Sequence, residues 1–251
     1  MIQLRNITKS YHQKKVVDDV SLTIPKGKLT SFIGPNGAGK STLLSVMSRL
    51  IRCEEGEVMI EGQKLEEWEP KKLAKKMAVL RQSNHMSLRL TIRQLVSFGR
   101  FPHSGGRINK EDEEKIDEAL NYMQLQDIQD KYLDELSGGQ RQRAYIAMVL
   151  AQNSEYILLD EPLNNLDMRH SVEIMKTLKR LTQELGKTVI IVIHDINFAS
   201  CYSDYIVALK DGKIAREGTS EELIEEKVLK SIYEIPFKVQ HINSQRVCVY
   251  Y

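Results

Sequence analysis

The residues best suited to chemistry form the segment Gly34-Pro35-Asn36-Gly37-Ala38-Gly39-Lys40-Ser41-Thr42, here called the phosphate loop. Its spacing, G-x-x-x-x-G-K-[ST], is typical of a loop that cradles phosphate groups. Glycines let successive backbone N–H groups turn inward around an anion, and Lys40 adds a full positive charge for the terminal phosphates. The hydroxyl of Ser41 is placed to bind Mg²⁺. The segment predicts binding of a nucleoside triphosphate with magnesium.

The phosphate loop needs a strand before it and a helix after it. A β-rich run, residues 29–33, precedes it, and an apolar run with helical periodicity, residues 43–47, follows. Because the N-terminus of a helix carries partial positive charge, the predicted helix directs that charge at the phosphates. An ordinary glycine-rich turn beside a surface lysine would need neither element, so both favour the phosphate loop.

Two carboxylates, Asp160 and Glu161, follow the apolar run 156–159. Carboxylates at the carboxyl end of a buried parallel strand lie where ligands bind in open α/β sheets. Asp160 suits coordination of Mg²⁺, directly or through water. Glu161 suits the orientation and polarisation of a water molecule that attacks phosphate. Acidic pairs at strand ends are common, so this interpretation depends on the phosphate loop in the same chain.

A second candidate anion site is the LSGGQ segment, Leu136-Ser137-Gly138-Gly139-Gln140, which precedes a strongly helical run. Ser137 has the position of a helix N-cap, and a capped helix start is the simplest interpretation. The same exposed N–H groups and helix dipole can bind an anion. A chain with one phosphate loop and a separate anion site suggests two copies that share nucleotides across an interface.

The elements that must position these residues form an α/β core. Residues 2–31 alternate apolar and polar positions between turn signals, which predicts a short antiparallel β-meander. Further strand signals lie at 56–62 and 77–82. The near-continuous apolar runs 156–159 and 188–193 predict parallel strands that are covered on both faces.

Helical patterns fill much of the remaining chain. Residues 83–153 predict a mostly helical subdomain, in which the charged segment 109–115 is typical of a solvated helix start. A helix over 168–185 predicts a βαβ crossover between two core strands. Residues 205–215 predict a hairpin with a tight turn at Asp211-Gly212, and residues 220–251 predict a short helix and a terminal strand.

The composition predicts a globular protein that does not bind nucleic acid by charge alone. Of 251 residues, 36 are basic and 34 acidic, for a net charge of +2. Cys53, Cys201 and Cys248 have no C-x-x-C spacing, which predicts reduced thiols instead of disulfides or a zinc site. No signal segment is expected, and the apolar runs are far shorter than the about 20 residues that cross a bilayer. Association with a membrane is therefore expected to need a partner.

Together these segments resemble the ATPase domain of ABC transporters over nearly the whole chain. They occur in the order and spacing of that family: the phosphate loop, Gln82, the LSGGQ segment, Asp160-Glu161, Asn165-Leu166-Asp167 and His194. The LSGGQ segment is highly specific to the family. The resemblance implies an α/β fold, a P-loop NTPase (RecA-like) parallel-sheet core with an N-terminal antiparallel β subdomain and an inserted α-helical subdomain. The implied bounds are 1–82 and 154–219 for the core, 83–153 for the helical subdomain and 220–251 for a short C-terminal extension.

The resemblance also implies roles for individual residues. Tyr11 resembles the aromatic residue that stacks on adenine, although its position alone fits a half-buried packing tyrosine equally well. Gln82 resembles the Q-loop glutamine, which meets Mg²⁺ or water and senses the membrane subunit. Ser137 to Gly139 would bind the γ-phosphate of ATP held by the opposite protomer, and Gln140 belongs to the same nucleotide-binding segment. Asp167 resembles the D-loop aspartate at the dimer interface. His194 resembles the switch histidine on the γ-phosphate, whereas a histidine after a strand is otherwise more often a helix cap or packing residue.

The partners that the resemblance implies are a second copy in an ATP-sandwiched homodimer, integral membrane permease subunits and, indirectly, a substrate-binding lipoprotein. The chain would lie peripherally on the cytoplasmic face of the cell membrane. Residues 98–103 and 162–167 look like the subgroup that imports iron–siderophore complexes, although importers of cobalamin, haem and metals share similar segments. Leu163 and Asn164-Asn165 depart from the commoner family residues. They leave the phosphate ligands intact and put only the detail of interface signalling in doubt.

Two other classes of protein share this core. ABC ATPases of DNA repair or chromosome structure insert long coiled coils or zinc modules, for which the segment between Gln82 and Leu136 is too short. Ribosome-associated ABC factors carry two cassettes and a charged linker, whereas this sequence has one set of motifs. We therefore favour a transport ATPase whose two copies close around ATP, pull on membrane subunits and reopen after hydrolysis.

Overall fold

The computed structural model describes residues 1–82, 88–164, 166–243 and 245–250. The chain divides into two compact units. The first unit comprises Met1–Trp68 and Leu181–Tyr251, and the second comprises Glu69–Arg180. The subdomain bounds expected from the family resemblance, 83–153 and 220–251, stay predictions.

The strands in the described residues are β1 (Ile2–Tyr11), β2 (Lys14–Ile24), β3 (Leu29–Ile33), β4 (Glu55–Ile60), β5 (Gln63–Lys64), β6 (Met77–Leu80), β7 (Tyr156–Asp160), β8 (Thr188–Val192), β9 (Tyr205–Lys210), β10 (Lys213–Gly218), β11 (Lys238–Ile242) and β12 (Gln245–Val249). The strands expected after the phosphate loop are confirmed at β4, β6, β7 and β8, within the usual uncertainty of strand ends.

The α-helices in the described residues are α1 (Lys40–Met47), α2 (Pro70–Lys76), α3 (Ile92–Phe98), α4 (Phe101–Ser104), α5 (Lys110–Tyr122), α6 (Gly138–Ala151), α7 (Met168–Leu185), α8 (Ile196–Tyr202), α9 (Ser220–Leu223) and α10 (Glu226–Tyr233). Short 3₁₀ turns lie at Leu65–Glu67, Gln126–Ile128 and Leu133–Glu135. In the part of the chain that the structure describes, none of the helices combines the length and the hydrophobicity of a membrane span.

An antiparallel sheet in the first unit has the strand order β2-β1-β4-β5. The predicted meander over residues 2–31 is right for the β1–β2 hairpin and wrong for its third strand. That place belongs to β4, which pairs with β1 so that Ile60 lies opposite Ile2. The reason is burial: all five residues of β3 are buried, as a strand covered on both faces requires, whereas β4 has exposed positions.

Parallel strands of the first unit carry the phosphate loop. Strand β3 lies between β8 and β9 and runs parallel to both. Strand β10 is antiparallel to β9, which confirms the predicted hairpin. Asp211 and Gly212 have φ of 49° and 78°, as a tight two-residue hairpin turn requires. After β10 the chain forms two short helices and a terminal hairpin, β11–β12, where a single strand was expected.

The second unit combines two parallel strands with a group of helices. Strand β6 pairs with β7 so that Met77 lies opposite Tyr156. Helices α3, α5 and α6 pack on one another through buried apolar residues that include Leu95, Leu120 and Ala147. Between residues 88 and 153 the described chain is mainly helical, apart from one isolated bridge that joins Thr91 to Tyr132.

A buried ion pair joins three of these helical segments. The Nε of Arg100 donates to Oδ1 of Asp112 at 2.8 Å, and each side chain is 2% exposed. Nη1 of Arg100 donates to the carbonyl of Ala151, also at 2.8 Å. Burial favours a higher pKa for Asp112, but the N–H of Asn109 and the Arg100 guanidinium outweigh it and lower the pKa. The helix start predicted at 109–115 is confirmed, but its description as solvated is wrong at Asp112.

Candidate functional site

The phosphate loop joins β3 to α1, as the sequence predicted. Gly34, Gly37 and Gly39 have φ of 136°, 77° and 98°, a backbone region that favours glycine. A Cβ at Gly34 would lie 2.0 Å from the carbonyl oxygen of Leu209, and one at Gly39 would lie 2.4 Å from that of Val16. At Gly37 no described atom lies within 4 Å of such a Cβ. Packing therefore demands glycine at 34 and 39, while Gly37 is open to a ligand.

Lys40 begins α1 and is buried, with 5% of its surface exposed. Its Nζ donates to the carbonyl of Gly34 at 2.7 Å and to that of Pro35 at 2.9 Å. These bonds hold the ammonium group within the curve of the loop. Helix α1 has no side-chain cap at Gly39, so an anion at its N-terminus would complement the helix dipole. Ser41 and Thr42 are half-buried in the same first turn. The loop is suited to phosphate.

Tyr11 is the last residue of β1 and is 47% exposed. Lys9 Nζ lies 5.6 Å from the centre of its ring, a cation–π contact that leaves ring surface accessible. This exposure favours a stacking role over the half-buried packing role that the position alone allowed.

His194 comes two residues after the end of β8 and is exposed. The N-cap of the next helix, α8, is Asp195, whose Oδ1 accepts from the N–H groups of Asn197 and Phe198 at 2.8 and 3.1 Å. The alternatives of a helix-capping or a packing histidine therefore do not fit. An exposed His194 remains consistent with contact to a ligand.

The acidic pair stands at the end of β7 in the second unit. Asp160 is the last residue of the strand and is buried. Glu161 has φ of 50°, which is uncommon for a residue with a side chain. Its Oε2 accepts from Nε2 of Gln82 at 2.6 Å and also from Nδ2 of Asn164. Two amide groups thus orient the carboxylate of Glu161.

The side chains predicted to hold Mg²⁺ are Ser41, Gln82 and Asp160. All three offer oxygen atoms, the donors that this ion prefers. Among the described residues no group of three or more His, Cys, Asp and Glu side chains could hold a metal ion. Donors of this kind suit Mg²⁺, which is commonly bound by one or two carboxylates together with phosphates and water.

The LSGGQ segment has the predicted helix cap. Ser137 Oγ accepts from the N–H of Gln140 at 3.3 Å, and Gln140 Oε1 accepts from the N–H of Ser137 at 3.1 Å. This capping box pairs two N–H groups at the start of α6, those of Ser137 and Gln140, from within the chain. Ser137 and Gly138 are exposed, whereas Gly139 is buried. The segment is an accessible helix start whose cap is already made.

Asp167 caps the following helix, α7. Its carboxylate Oδ1 accepts from the backbone N–H of His170 at 2.9 Å and lies 2.8 Å from Nδ1 of the same residue. The N–H of His170, followed by its ring, lowers the pKa of Asp167. The His170 ring also packs on the LSGGQ segment, because a Cβ at Gly139 would lie 2.7 Å from it. Asn165, which belongs to the same motif, lies outside the described residues.

The contacts of two residues in the second unit were not predicted from the sequence. In the sequence, Asn164 is notable only as a departure from the family pattern, yet its side chain donates a hydrogen bond to Glu161. His170 entered only within a helix, yet it touches both Asp167 and Gly139. Its position three residues after an aspartate at a helix start was the one available signal.

The cysteines stand apart from these groups. Cys53, Cys201 and Cys248 are free thiols in the structure. Burial raises the pKa of all three thiols, that of Cys248 to about 11. They therefore stay protonated and weakly reactive at neutral pH.

Comparison with known proteins identifies the family. The family model of ABC transporters matches residues 17–164. The chain is 63% identical over its whole length, and over all of the relative, to the petrobactin import ATP-binding protein YclP of Bacillus subtilis (strain 168). It is 50% identical to the petrobactin import ATP-binding protein FatE of Bacillus anthracis, over 95% of this chain and 96% of that one.

Solved structures that resemble this chain belong to the same family. The dimeric bacterial ABC transporter cassette MJ0796 is 36% identical with a TM-score of 0.78, over 88% of this chain and 99% of that one. A post-hydrolysis dimer of the same cassette, bound to ADP and Pi, has the same TM-score at 35% identity. These likenesses confirm the predicted P-loop NTPase fold class and the binding of ATP. The chain belongs to the ABC transporter family and is an ATPase of the ATP-binding-cassette type.

Proposed function

We propose that the chain is the ATP-hydrolysing subunit of an importer of iron–siderophore complexes. The observation that carries this proposal is its full-length identity to a petrobactin import ATP-binding protein. A second relative that covers nearly the whole chain has the same cargo in its name. Petrobactin is therefore the first cargo to test.

In this proposal the working unit is a homodimer with two molecules of ATP. The phosphate loop of one copy holds the phosphates, and residues Ser137 to Gly139 of the other copy bind the γ-phosphate. The exposure of Ser137 and Gly138 supports this role, since a second copy can reach them. The dimeric state of the relative MJ0796 supports it further. Tyr11 stacks on adenine, and Asp167 lies at the interface between the copies.

Hydrolysis depends on positioning a water molecule. Glu161 accepts a hydrogen bond from that water and polarises it for attack on the γ-phosphate. Gln82 and Asn164, which bond to its Oε2, keep the carboxylate in one orientation. Mg²⁺, when bound by Ser41, Gln82 and Asp160, offsets the negative charge of the phosphates. His194 contacts the γ-phosphate.

The chain then works on the cytoplasmic face of the cell membrane, held there by permease subunits. A substrate-binding lipoprotein delivers the cargo to the permease. Closure of the dimer on ATP and its reopening after hydrolysis drive the permease between its states. The cargo touches the permease and the lipoprotein, so no residue of this chain needs to contact it.

Uptake of labelled iron tests the cargo. The chain is expressed in a Bacillus subtilis strain that lacks YclP, and uptake of iron-55 as ferric petrobactin is measured. Restored uptake by the wild type, and none by Glu161→Gln, is the expected result. A chain that hydrolyses ATP in the same cells but restores no uptake would contradict the cargo and leave the ATPase assignment intact. Parallel arms with cobalamin and haem report the alternative cargoes.

A further inference from the structure

The first residue of the phosphate loop is hydrogen-bonded to the C-terminal part of the chain. The backbone N–H of Gly34 donates to the hydroxyl oxygen of Tyr233 at 2.9 Å, across 199 residues of sequence. Tyr233 ends α10, and burial raises the pKa of its phenol well above the usual value, so the hydroxyl stays neutral. Nothing in the roles assigned so far uses this bond.

Gly34 is confined on a second side by strand β9. Its Cα lies so close to Leu209 that a Cβ would be 2.0 Å from the Leu209 carbonyl oxygen. The next residue, Lys210, ties β9 to the end of α10, because its Nζ donates to the carbonyl of Ser231 at 2.8 Å and to Glu234 at 2.6 Å. Strand β9, helix α10 and the phosphate loop thus meet at Gly34.

An aromatic cluster holds Tyr233 in place. The rings of Tyr233 and Phe237 have centres 5.8 Å apart, and those of Phe237 and Tyr250 are 5.3 Å apart. Phe237 is buried, with 5% of its surface exposed. Glu226 at the start of α10 accepts from the N–H of Val239 in β11 at 3.1 Å. The helix and the terminal hairpin therefore form one packed body, residues 226–243 and 245–250, which we call the C-terminal brace.

The other end of the C-terminal brace holds the helix that follows His194. Asn197 in α8 exchanges two hydrogen bonds with the backbone of Cys248, at 3.1 and 2.7 Å. Ser200 Oγ donates to the carbonyl of Arg246 at 2.6 Å. The same terminal segment is thus bonded to the phosphate loop and to α8.

We propose that Tyr233 is a positioning residue for nucleotide binding, through which the C-terminal brace fixes the path of the phosphate loop. Gly34 has wide conformational freedom because it lacks a Cβ, and the bond to Tyr233 removes part of that freedom. A loop already held in its binding conformation loses less entropy when ATP binds, so its affinity is higher. The inference rests on the assignment of Gly34–Thr42 to phosphate binding.

The test compares two tyrosines that belong to one aromatic cluster. Tyr233→Phe removes the hydroxyl on Gly34 and keeps the ring. The control, Tyr250→Phe, removes a hydroxyl from a ring that is 46% exposed. We expect Tyr233→Phe to raise the Kd and KM for ATP by about 3- to 10-fold, the scale of one hydrogen bond, with kcat at saturating ATP within about 2-fold. The control should match the wild type, and faster amide exchange at Gly34 should appear in Tyr233→Phe alone.

Three outcomes would count against the proposal. Wild-type Kd and KM in Tyr233→Phe, with only a lower Tm, would show that Tyr233 merely stabilises the fold. Unchanged ATP binding in Lys40→Ala would overturn the phosphate-loop assignment, and the role of Tyr233 with it. If Tyr233→Phe does not fold, Phe237→Leu replaces it, since that change loosens the packing against the Tyr233 ring. A KM raised in the same direction supports the proposal, and a wild-type KM contradicts it.

Discussion

Helices α1 and α6 both begin at glycine-containing segments, and they differ in whether a side chain caps the first turn. Helix α1 starts from Gly39 in a left-handed conformation, with φ of 98° and no side-chain cap. The buried ammonium of Lys40 lies against the loop carbonyls. Helix α6 starts from Ser137, whose capping box with Gln140 is complete.

This difference between the two helix starts predicts that they bind phosphate at different steps of the ATPase cycle. A helix start without a side-chain cap gains most from an external anion, because phosphate oxygens can accept from its first N–H groups. A capped start has two of its N–H groups already paired, so it offers fewer donors to a phosphate. We therefore expect the phosphate loop to bind ATP in a single copy. The LSGGQ segment should engage phosphate only when a second copy delivers it.

The largest expected effect separates both binding steps from hydrolysis. Glu161→Gln keeps the shape of the side chain but removes the base, so turnover should fall by about 10²- to 10⁴-fold while ATP binding stays intact. Single-turnover hydrolysis and equilibrium binding measure the two quantities. The control is Glu114→Gln on the exposed face of α5, which should match the wild type. Near-wild-type turnover in Glu161→Gln would exclude Glu161 as the base.

The next effect tests the uncapped helix start. Lys40→Ala removes the charge that serves the terminal phosphates, so ATP affinity should fall by about 10- to 150-fold, the range for hydrogen bonds to charged groups. Titration with ATP measures the Kd. Lys28→Ala removes an exposed lysine ahead of β3 and should have no effect. Equal affinities in the two variants would break the comparison between the helix starts.

A smaller effect is expected at the capped start, and only on association. Ser137→Arg places a long charged side chain where the second copy must approach closely, so ATP-driven dimerisation should weaken by at least about 10-fold. Sedimentation in the Glu161→Gln background, with and without ATP, measures it. Monomers should bind ATP as the wild type does, and Ser137→Thr should still dimerise. A stable Ser137→Arg dimer would contradict the shared site.

The smallest effect measures the cap itself. Ser137→Ala removes the acceptor of the capping box, which should lower the free energy of unfolding by about 1 kcal/mol. For a chain of this size the Tm should fall by about 2–4 °C. Calorimetry of the chain without ATP checks this. An unchanged Tm would mean that the first turn of α6 does not depend on Ser137, and the contrast with α1 would lose its basis.

Many of the candidate functional segments could be predicted from local sequence. The strand–loop–helix around Lys40, the cap at Ser137 and the strand that ends at Asp160 each depend on residue types within a few positions. Turn chemistry likewise placed the hairpin at Asp211-Gly212. Such features are predictable because neighbouring residues alone determine the backbone preference.

Contacts across long stretches of sequence were beyond this reasoning. The pairing of β4 with β1, the bond from Gly34 to Tyr233 and the contact of His170 with Gly139 all join distant segments. No periodicity or spacing encodes them, because burial and partner choice are settled only when the core assembles. The charged segment with Asp112 shows the same limit, since its pattern alone indicates a solvated face.

The buried pair of Arg100 and Asp112 restricts how this chain can change by mutation. Replacing only one of the two residues leaves the other as an unpaired buried charge, which lowers the free energy of unfolding by about 3–5 kcal/mol. That is a large part of the about 5–15 kcal/mol that keeps a domain folded. Replacing both residues by well-packed apolar ones would cost far less. The two codons are therefore linked by selection, and descendants of this sequence should keep both residues or lose both.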